Sequence, residues 1–561
     1  MTSVSPVWTF ASCQTPVMNQ GQQGRERWVL PEVGRRRFLI GAAAAAASTM
    51  VTVSCGSGGS DGSKGATTET TAREPVTLAE APAPSWIDGP VFTLGVASGD
   101  PSSSAVVLWT RLALDPTADD GGDGMADRAL DVAWEISEDE AFTKVLVSEI
   151  VRVTAADGHS VHIDATGLRA GTPYWYRFRL GDETSTVGRT QTLPDGSPES
   201  FGLAVVNCQM YEGGAYGAYR NLVDEDIDLV VHLGDYIYEY PGGVGAGRHS
   251  LPNRMLKTIG DYRLRYASYK LDPDLQAAHA RFPFVATWDD HEVANNYMGD
   301  TVPGDASPAE VQERKTAAYR AWWENMPVRL DPPKGSDLAV YRDLDIGDLA
   351  RLYLLDERQD SAEPPCRGTS TAGLDYGNCD DVEDEDRTRL GKAQEAWLEG
   401  ALADSTARWN LLGNPVVLAG VDAGQDEPAF YLDTWDGYPD ARKRLIAQLA
   451  EVDNPVVLTG DYHAGMVLDV HEIPFDQSSP VVAPEFMSPP ISSALFDADV
   501  TKRTPQLRQQ INEYGYLVVA VTPDELTATF RTVDDVADPK TAISTAATWT
   551  VTAGDPVAKP A

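Results

Sequence analysis

The sequence predicts an α/β fold, in which a layered α/β domain follows an all-β sandwich domain of the immunoglobulin or fibronectin type. The chain has 561 residues, which is too long for one hydrophobic core, so we expect two or three folded units. Residues 91–194 contain short segments that mix alternating polarity with aromatic side chains and are separated by turn residues. From residue 201 onward, apolar strands alternate with helical stretches, as in α/β domains.

The amino-terminal region, residues 1–55, is predicted to be an export signal. Three arginines, residues 35–37, precede Phe38-Leu39 and an alanine-rich apolar stretch that ends near Val53. A basic segment before a short apolar segment is typical of signal peptides, and this stretch is shorter than the about 20 residues that span a membrane. Paired arginines before Phe-Leu resemble the twin-arginine signal, so we expect export by the twin-arginine machinery to an extracellular, periplasmic or cell-surface location.

Cys55 follows the apolar stretch, at the place where a lipoprotein precursor would be cleaved. A lipid anchor at Cys55 is therefore one alternative, although Thr52 replaces the usual aliphatic residue three positions earlier. Residues 56–87 are rich in Gly, Ser, Thr and Ala, which predicts a flexible linker to the first folded domain.

Residues 88–195 are assigned to the sandwich domain. Its predicted strands include residues 105–111, 130–136 and 174–180. Residues 168–174 resemble the tyrosine corner of fibronectin-like domains. We interpret the aromatic side chains as core, assign no catalysis to this domain, and place the boundary to the next domain at residues 195–199.

Residues 200–535 are assigned to the α/β domain, and residues 536–561 to a carboxyl-terminal tail. The predicted helices are residues 215–225, 259–279, 308–323 and 391–402. Further strands are predicted at residues 351–356 and 410–414, and a hairpin at residues 516–533.

The composition narrows the range of functions. Lys and Arg total 45 against 84 Asp and Glu, which gives a formal net charge of −39. Because affinity for nucleic acid depends on basic surface, no nucleic-acid partner is expected.

Among five cysteines, Cys366 and Cys379 flank a loop rich in Gly and Thr, and they are a plausible disulfide in an oxidising compartment. The alternative is two free thiols.

Four predicted strands end in side chains that bind metals. Cys208 follows strand 201–207; Asp235 and Tyr238 follow strand 230–233; Asp289-Asp290-His291 follow strand 284–288; Asp461 and His463 follow strand 455–459. Ligand sites of open α/β sheets lie at the carboxyl ends of the strands. These distant pieces of chain therefore predict one metal site, and their order is that of a dinuclear metallophosphoesterase.

The sequence resembles the PhoD-type alkaline phosphatase family at five segments, over about residues 88–530. These are Asn207-Cys208-Gln209, residues 233–239, Trp288-Asp289-Asp290-His291-Glu292, residues 355–359, and Gly460-Asp461-Tyr462-His463. The resemblance implies a secreted phosphatase and phosphodiesterase that releases phosphate from phosphate mono- and diesters. It also implies ferric iron and calcium as the metals.

The donor types agree with these metals. A Tyr hydroxyl has a pKa of about 10 and a thiol about 8.5, so a strongly charged ion such as Fe³⁺ is needed to bind both as anions. The iron ligands are then Cys208, Asp235, Tyr238 and His463. Carboxylates suit calcium, whose expected ligands are Asp235 as the bridge with Asp289, Asp290 and Asp461. Asn296 is either a further ligand or a loop cap, and Zn²⁺ or another divalent metal is the alternative.

The resemblance also implies two catalytic residues. His291 protonates the leaving oxygen or holds the phosphate, and Arg358 clamps the phosphate. The second arginine that family members often have nearby is absent from residues 356–361. Two other functions stay open: a phosphodiesterase specialised for cell-wall or phospholipid polymers, and an exported non-catalytic protein whose metal site is structural.

Overall fold

The computed structural model describes residues 76–242, 247–302, 307–363, 365, 382, 384–424, 428–496 and 498–561. The predicted signal region, Cys55, most of the linker, and Cys366 with Cys379 lie outside the described residues. The predictions for those residues therefore stay predictions.

The first eight strands come from the predicted sandwich region. They are β1 (Val96–Gly99), β2 (Ala105–Arg111), β3 (Leu130–Ser137), β4 (Val145–Val153), β5 (Ser160–Thr166), β6 (Pro173–Leu180), β7 (Glu183–Thr184) and β8 (Gly188–Gln191).

Strands then alternate with helices. The next elements are β9 (Phe201–Val206), α1 (Gly217–Leu222), β10 (Leu229–Leu233), α2 (Ile259–Lys270), α3 (Pro273–Arg281), β11 (Pro283–Thr287) and α4 (Pro308–Asn325). They are followed by β12 (Arg342–Ile346), β13 (Ala350–Leu354), α5 (Gly391–Ala403), β14 (Trp409–Asn414), α6 (Pro439–Leu449) and β15 (Pro455–Thr459). The last elements are β16 (Gly465–His471), β17 (Val481–Met487), β18 (Leu507–Ile511), β19 (Gly515–Val521), β20 (Glu525–Val533), β21 (Ile543–Thr552) and β22 (Lys559–Pro560).

Two large sheets form the centre of the fold. The ten-stranded sheet has the order β22-β21-β20-β19-β9-β10-β11-β1-β2-β5, and the seven-stranded sheet the order β12-β13-β14-β15-β17-β16-β18. Neighbouring β9, β10 and β11 are parallel, and so are neighbouring β13, β14, β15 and β17. Parallel strands buried on both faces explain the continuous apolar runs in the sequence.

The sheets pack against each other, and helices cover their outer faces. Along β9, Leu203 and Val205 belong to the core between the two sheets, whereas Ala204 and Val206 belong to the core under helices α1–α4. This split follows from the alternation of side chains along a strand. Helices α5 and α6 contribute to a third core on the seven-stranded sheet. The layered α/β architecture is therefore as predicted.

The sandwich is present, but it shares a sheet with the α/β part. Strands β1, β2, β3, β5 and β6 enclose one apolar core, and β1 pairs in parallel with β11. One sheet of the sandwich is thus continuous with the ten-stranded sheet, and all described residues belong to one compact unit. The backbone N–H of Arg169 donates to the Tyr174 hydroxyl at 2.8 Å, as expected for a tyrosine corner.

Several elements differ from the predictions. The helix predicted over 259–279 is two helices, because Asp272 accepts hydrogen bonds from the backbone of Asp274 and Leu275 and Pro273 starts α3. The tail predicted at 536–561 is wrong, since β21 pairs with β20 along its whole length. Helix α6 and strands β16–β18 were not predicted. No helix among the described residues is long and apolar enough to cross a membrane.

Candidate metal centre

The predicted ligands lie in the loops that follow β9, β10, β11 and β15. Strands β9, β10 and β11 are neighbours in the ten-stranded sheet, whereas β15 belongs to the seven-stranded sheet. The site therefore forms where the carboxyl ends of two facing sheets meet, and not at the edge of a single sheet.

The first group of donors is Cys208, Asp235, Tyr238 and His463. The Tyr238 hydroxyl donates to Asp235 Oδ2 at 2.8 Å and lies 3.2 Å from His463 Nε2. The Cys208 thiol lies 3.5 Å from Asp235 Oδ2. Ligand atoms of Cys208, Asp235 and His463 all fall within 4.8 Å of one another, so the four predicted iron ligands come together.

The second group of donors shares Asp235 with the first. Ligand atoms of Asp235, Asp290 and His291 also lie within 4.8 Å of one another. The Asn296 backbone N–H donates to Asp290 Oδ2, which brings the loop of Asn296 to the same place. The negative charges of Asp289, Asp433 and Asp290 all act on Asp461. Asp235 thus stands between two donor sets, the position that a bridging carboxylate requires.

Backbone strain is concentrated at these residues. A φ between +20° and +160° is rare for residues other than glycine and costs about 1–3 kcal/mol. Eleven described non-glycine residues have positive φ, and five of them are predicted ligands: Cys208 (52°), Asp235 (56°), Asn296 (52°), Asp461 (63°) and His463 (54°). Such strain persists where a functional geometry requires it.

The electrostatics point to a bound cation. Burial raises the pKa of Cys208, Asp235, Tyr238 and Asp461 well above their usual values, and neighbouring carboxylates raise each further. Asp289 Oδ2 is buried and has no hydrogen-bond partner among the described residues. A cation would relieve this repulsion and ionise the donors, so the residues present fit a metal centre.

His291 is held by a carboxylate. Its Nδ1 lies 2.7 Å from Glu239 Oε2, and Glu239 Oε1 accepts from the Asn295 backbone N–H at 2.9 Å. Burial alone would lower the pKa of His291, but Asp290, Asp235 and Glu239 raise it well above its usual value. The Tyr238 ring packs 4.2 Å from the imidazole.

Arg358 lies behind the carboxylates. Its side chain is 0% exposed, and its Nε donates to Asp289 Oδ1. Nη1 lies 3.6 Å from Asp433 Oδ2, and Nη2 lies 4.0 Å from Asp290 Oδ1. This arrangement orients Asp289, while Nη1 and Nη2 have no hydrogen-bond partner among the described residues, so the phosphate clamp stays a prediction.

Comparisons with known proteins agree with this geometry. The family model described as PhoD-like phosphatase matches residues 203–530, and the one described as the N-terminal domain of PhoD-like phosphatase matches residues 78–194. Alkaline phosphatase D of Bacillus subtilis (strain 168) is 39% identical over 493 residues, which cover 83% of this chain and 82% of that protein.

The chain belongs to the PhoD-like phosphatase family.

A solved structure supports the assignment. The structure titled "Structure of PhoD" matches with a TM-score of 0.81 and 38% identity, over 85% of this chain and 93% of that chain. Membership in the PhoD-like phosphatase family agrees with the donor sets described above, since it implies dependence on metals.

Sequence reasoning missed four residues of this PhoD-like site: Glu239, Glu292, Asp433 and Ser493. Glu292 accepts from the backbone N–H groups of Asp235, Tyr236 and Asp289 at 2.8–3.1 Å, so one buried carboxylate ties two ligand loops together. Burial raises the pKa of Glu292 to about 7. The sequence signal for it was its place directly after Asp290-His291.

Ser493 and Asp433 carried no sequence signal. The Ser493 hydroxyl donates to the Tyr238 hydroxyl at 2.7 Å, and Asp433 lies beside Arg358. Both reach the site through loops that no local pattern connects to it. Asn296, Asp461 and His463 are partly exposed, whereas Cys208 and Asp235 are buried, so the site has one open side.

Proposed function

We propose that this chain hydrolyses phosphate mono- and diesters at a metal centre with two donor sets joined by Asp235. The observation that carries the proposal is the convergence of Cys208, Tyr238 and His463 on one side of Asp235 and of acidic side chains on the other. Family membership makes the chain a phosphoric ester hydrolase.

The metals we propose are ferric iron and calcium. Iron would be held by Cys208, Asp235, Tyr238 and His463, because a thiolate and a phenolate suit a highly charged ion. Calcium would be held by oxygen donors, for which the candidates are Asp235, Asp289, Asp290, Asn296 and Asp461. When bound, such cations neutralise the charge of the phosphoryl group in the transition state.

His291 is proposed to act on the ester itself. Since Nδ1 faces Glu239, Nε2 is the nitrogen left to hold the phosphoryl group or to give a proton to the leaving oxygen. The negative charge of Glu239 raises the pKa of His291 and so favours the protonated form that this role needs. Arg358 is proposed to hold Asp289 in place by its hydrogen bond.

A catalytic site explains the structure better than a structural metal site does. Structural sites are closed by their ligands, whereas catalytic sites keep an open position. A cavity of about 330 Å³ opens beside Asn296, Asp461 and His463. Substrate can therefore reach the donors from this side.

Export is a separate part of the proposal. It is supported by the arginines at 35–37 and the apolar stretch after them. We propose export by the twin-arginine machinery. A lipid anchor at Cys55 stays one alternative.

The test of the function is Asp235→Asn in the full chain. As the shared ligand, Asp235 is needed by both donor sets, so the variant should lose bound metal and several orders of magnitude in kcat for p-nitrophenyl phosphate and bis(p-nitrophenyl) phosphate. Asp131→Asn on the sandwich surface, paired there with Arg152, is the matched control and should keep both. The proposal fails if the metal-loaded wild type hydrolyses neither substrate, or if Asp235→Asn retains metal and turnover.

A further inference from the structure

Three aromatic side chains form a corner next to the metal centre. We call Tyr431, Tyr462 and Phe496 the aromatic corner. The ring centroids of Tyr431 and Tyr462 lie 5.3 Å apart, those of Tyr462 and Phe496 4.8 Å, and those of Tyr431 and Phe496 6.4 Å. All three pairs are edge-to-face, with interplanar angles of 73–84°. Edge-to-face pairs of this kind are favourable contacts between aromatic rings.

The aromatic corner and the metal donors line the same cavity. The cavity of about 330 Å³ is lined by the corner and also by Asn296, Asp433, Asp461 and His463. This volume is at the lower end of the range for small-molecule sites, which is about 300–1,000 Å³. An ester whose phosphoryl group lies at the donors would therefore place its organic group against the corner.

Hydrogen bonds join one segment of the corner to the centre. The backbone N–H of Phe496 donates to the His463 carbonyl at 3.1 Å, and His463 Nδ1 lies 2.7 Å from the Ala494 carbonyl. Ser493, in the same segment, donates to the Tyr238 hydroxyl. Tyr462 is only 7% exposed and supports the half-buried Tyr431 and Phe496. The segment that carries Phe496 thus lies directly against His463, one of the proposed iron ligands.

The charge of the cavity limits what it can accept. The described residues that line it include no Lys or Arg, whereas Asp433 and Asp461 are acidic. Once metal ions have neutralised the donors nearest the phosphoryl group, no cation remains for a second anionic group. An uncharged organic group therefore fits this lining better than a second anionic group in the cavity does.

We propose that the aromatic corner is the subsite for the organic group of the substrate, and that it favours phosphate esters carrying a flat, uncharged ring. This inference rests on the proposed function, because the phosphoryl group must bind at the metal donors. Ring–ring contacts are worth about 0.5–1.5 kcal/mol beyond area burial. The preference for an aryl group over a methyl group should therefore be about two- to tenfold.

The test measures binding and does not depend on turnover. Phenylphosphonate and methylphosphonate carry the same head group on a C–P bond, and their dissociation constants are determined by titration calorimetry with the metal-loaded full chain. The wild type should bind phenylphosphonate about two- to tenfold more tightly than methylphosphonate. It should bind 4-phosphonobenzoate, whose ring carries a second anion, more weakly than phenylphosphonate.

Substitutions in the aromatic corner test whether the corner causes the preference for phenylphosphonate over methylphosphonate. Phe496→Leu and Tyr431→Leu remove a ring face but keep apolar volume, so each should reduce the preference, whereas Phe142→Leu on the sandwich should keep it. Equal affinities in the wild type, or a preference unchanged in both corner variants, would overturn the inference. A wild type that shows the preference but hydrolyses no ester would reject the proposed function and leave the subsite standing.

Discussion

At the scale of single residues, the sequence predicts most of the residues of the candidate site. Cys208, Asp235, Tyr238 and His463 follow short apolar strands, and their chemistry predicts that they bind metal. The positive φ values of five predicted ligands were not predictable, because they arise from loops that meet in space; these residues are Cys208, Asp235, Asn296, Asp461 and His463. Ser493 was not predictable either, since its role depends only on its distance of 2.7 Å from Tyr238.

The carboxylate of Glu239 provides a test of how His291 works. Glu239→Gln leaves only one acceptor for the two bonds that Glu239 accepts, from His291 and from the Asn295 backbone. It also removes a negative charge that raises the pKa of His291. We expect kcat to fall about ten- to hundredfold, as for other carboxylates that orient a functional histidine.

The pH profile distinguishes this role from a purely structural one. A protonated His291 is lost as the pH rises through its pKa, so a lower pKa in Glu239→Gln should move the alkaline limb of the kcat profile to lower pH. The exposed Glu149→Gln on β4 is the control and should change nothing. An unchanged profile in Glu239→Gln would show that Glu239 does not act on the protonation of His291.

At the scale of elements, prediction succeeded where one segment carries its own signal. Strands β9, β10, β11 and β15 are continuous apolar runs, and β19 with β20 is a short hairpin. The division of α2 from α3 could have been predicted from Asp272-Pro273. The assignment of β15 to a second sheet could not, because strand order depends on long-range pairing that no local pattern encodes.

Gly234 connects strand β10 to the candidate metal centre. It directly follows β10 with a φ of +100°, and a Cβ there would lie 2.5 Å from the Asp289 backbone nitrogen. Gly234→Ala should therefore push apart the loops of Asp235 and Asp289, lower the thermal midpoint, and reduce metal content. Gly167→Ala is the matched control, because its φ is +76° but nothing lies within 4 Å of the added Cβ.

Comparing the two glycine variants distinguishes the effect of backbone strain from the effect of the steric clash between the ligand loops. Gly167→Ala should show only the cost of the positive φ, about 1 kcal/mol, with normal metal content. Gly234→Ala should be less stable than that and deficient in metal. Equal behaviour of the two variants would mean that close packing of the ligand loops is not required.

At the scale of the whole molecule, the sandwich and the α/β part are structurally joined. The parallel pair of β1 with β11 makes one sheet continuous between them, although the sequence suggested two separate domains. The strand β21 likewise completes that sheet with residues predicted to be a tail. Neither the continuous sheet nor the pairing of β21 could be predicted from composition, because both depend on pairing between distant segments.

Export concerns the whole chain and can be tested at two residues. Replacing Arg35 and Arg36 by Lys keeps the charge but removes the guanidinium geometry, so the precursor should accumulate in the cytoplasm. The fraction of protein outside the cytoplasm is measured by cell fractionation. Arg152→Lys on the sandwich surface is the control, and normal export of the Arg35/Arg36 variant would reject the twin-arginine signal.

The most direct measurement of the central claim is the metal content and visible spectrum of the exported protein and of two variants. Tyr238→Phe removes only the phenolic oxygen, and Cys208→Ser removes only the thiol. We predict that the wild type contains iron and absorbs in the visible, and that each variant loses iron and changes the spectrum in its own way. Zinc, with its filled d shell, gives no such band. A colourless, zinc-containing and fully active wild type, with a Tyr238→Phe variant unchanged in metal content and turnover, would contradict the account.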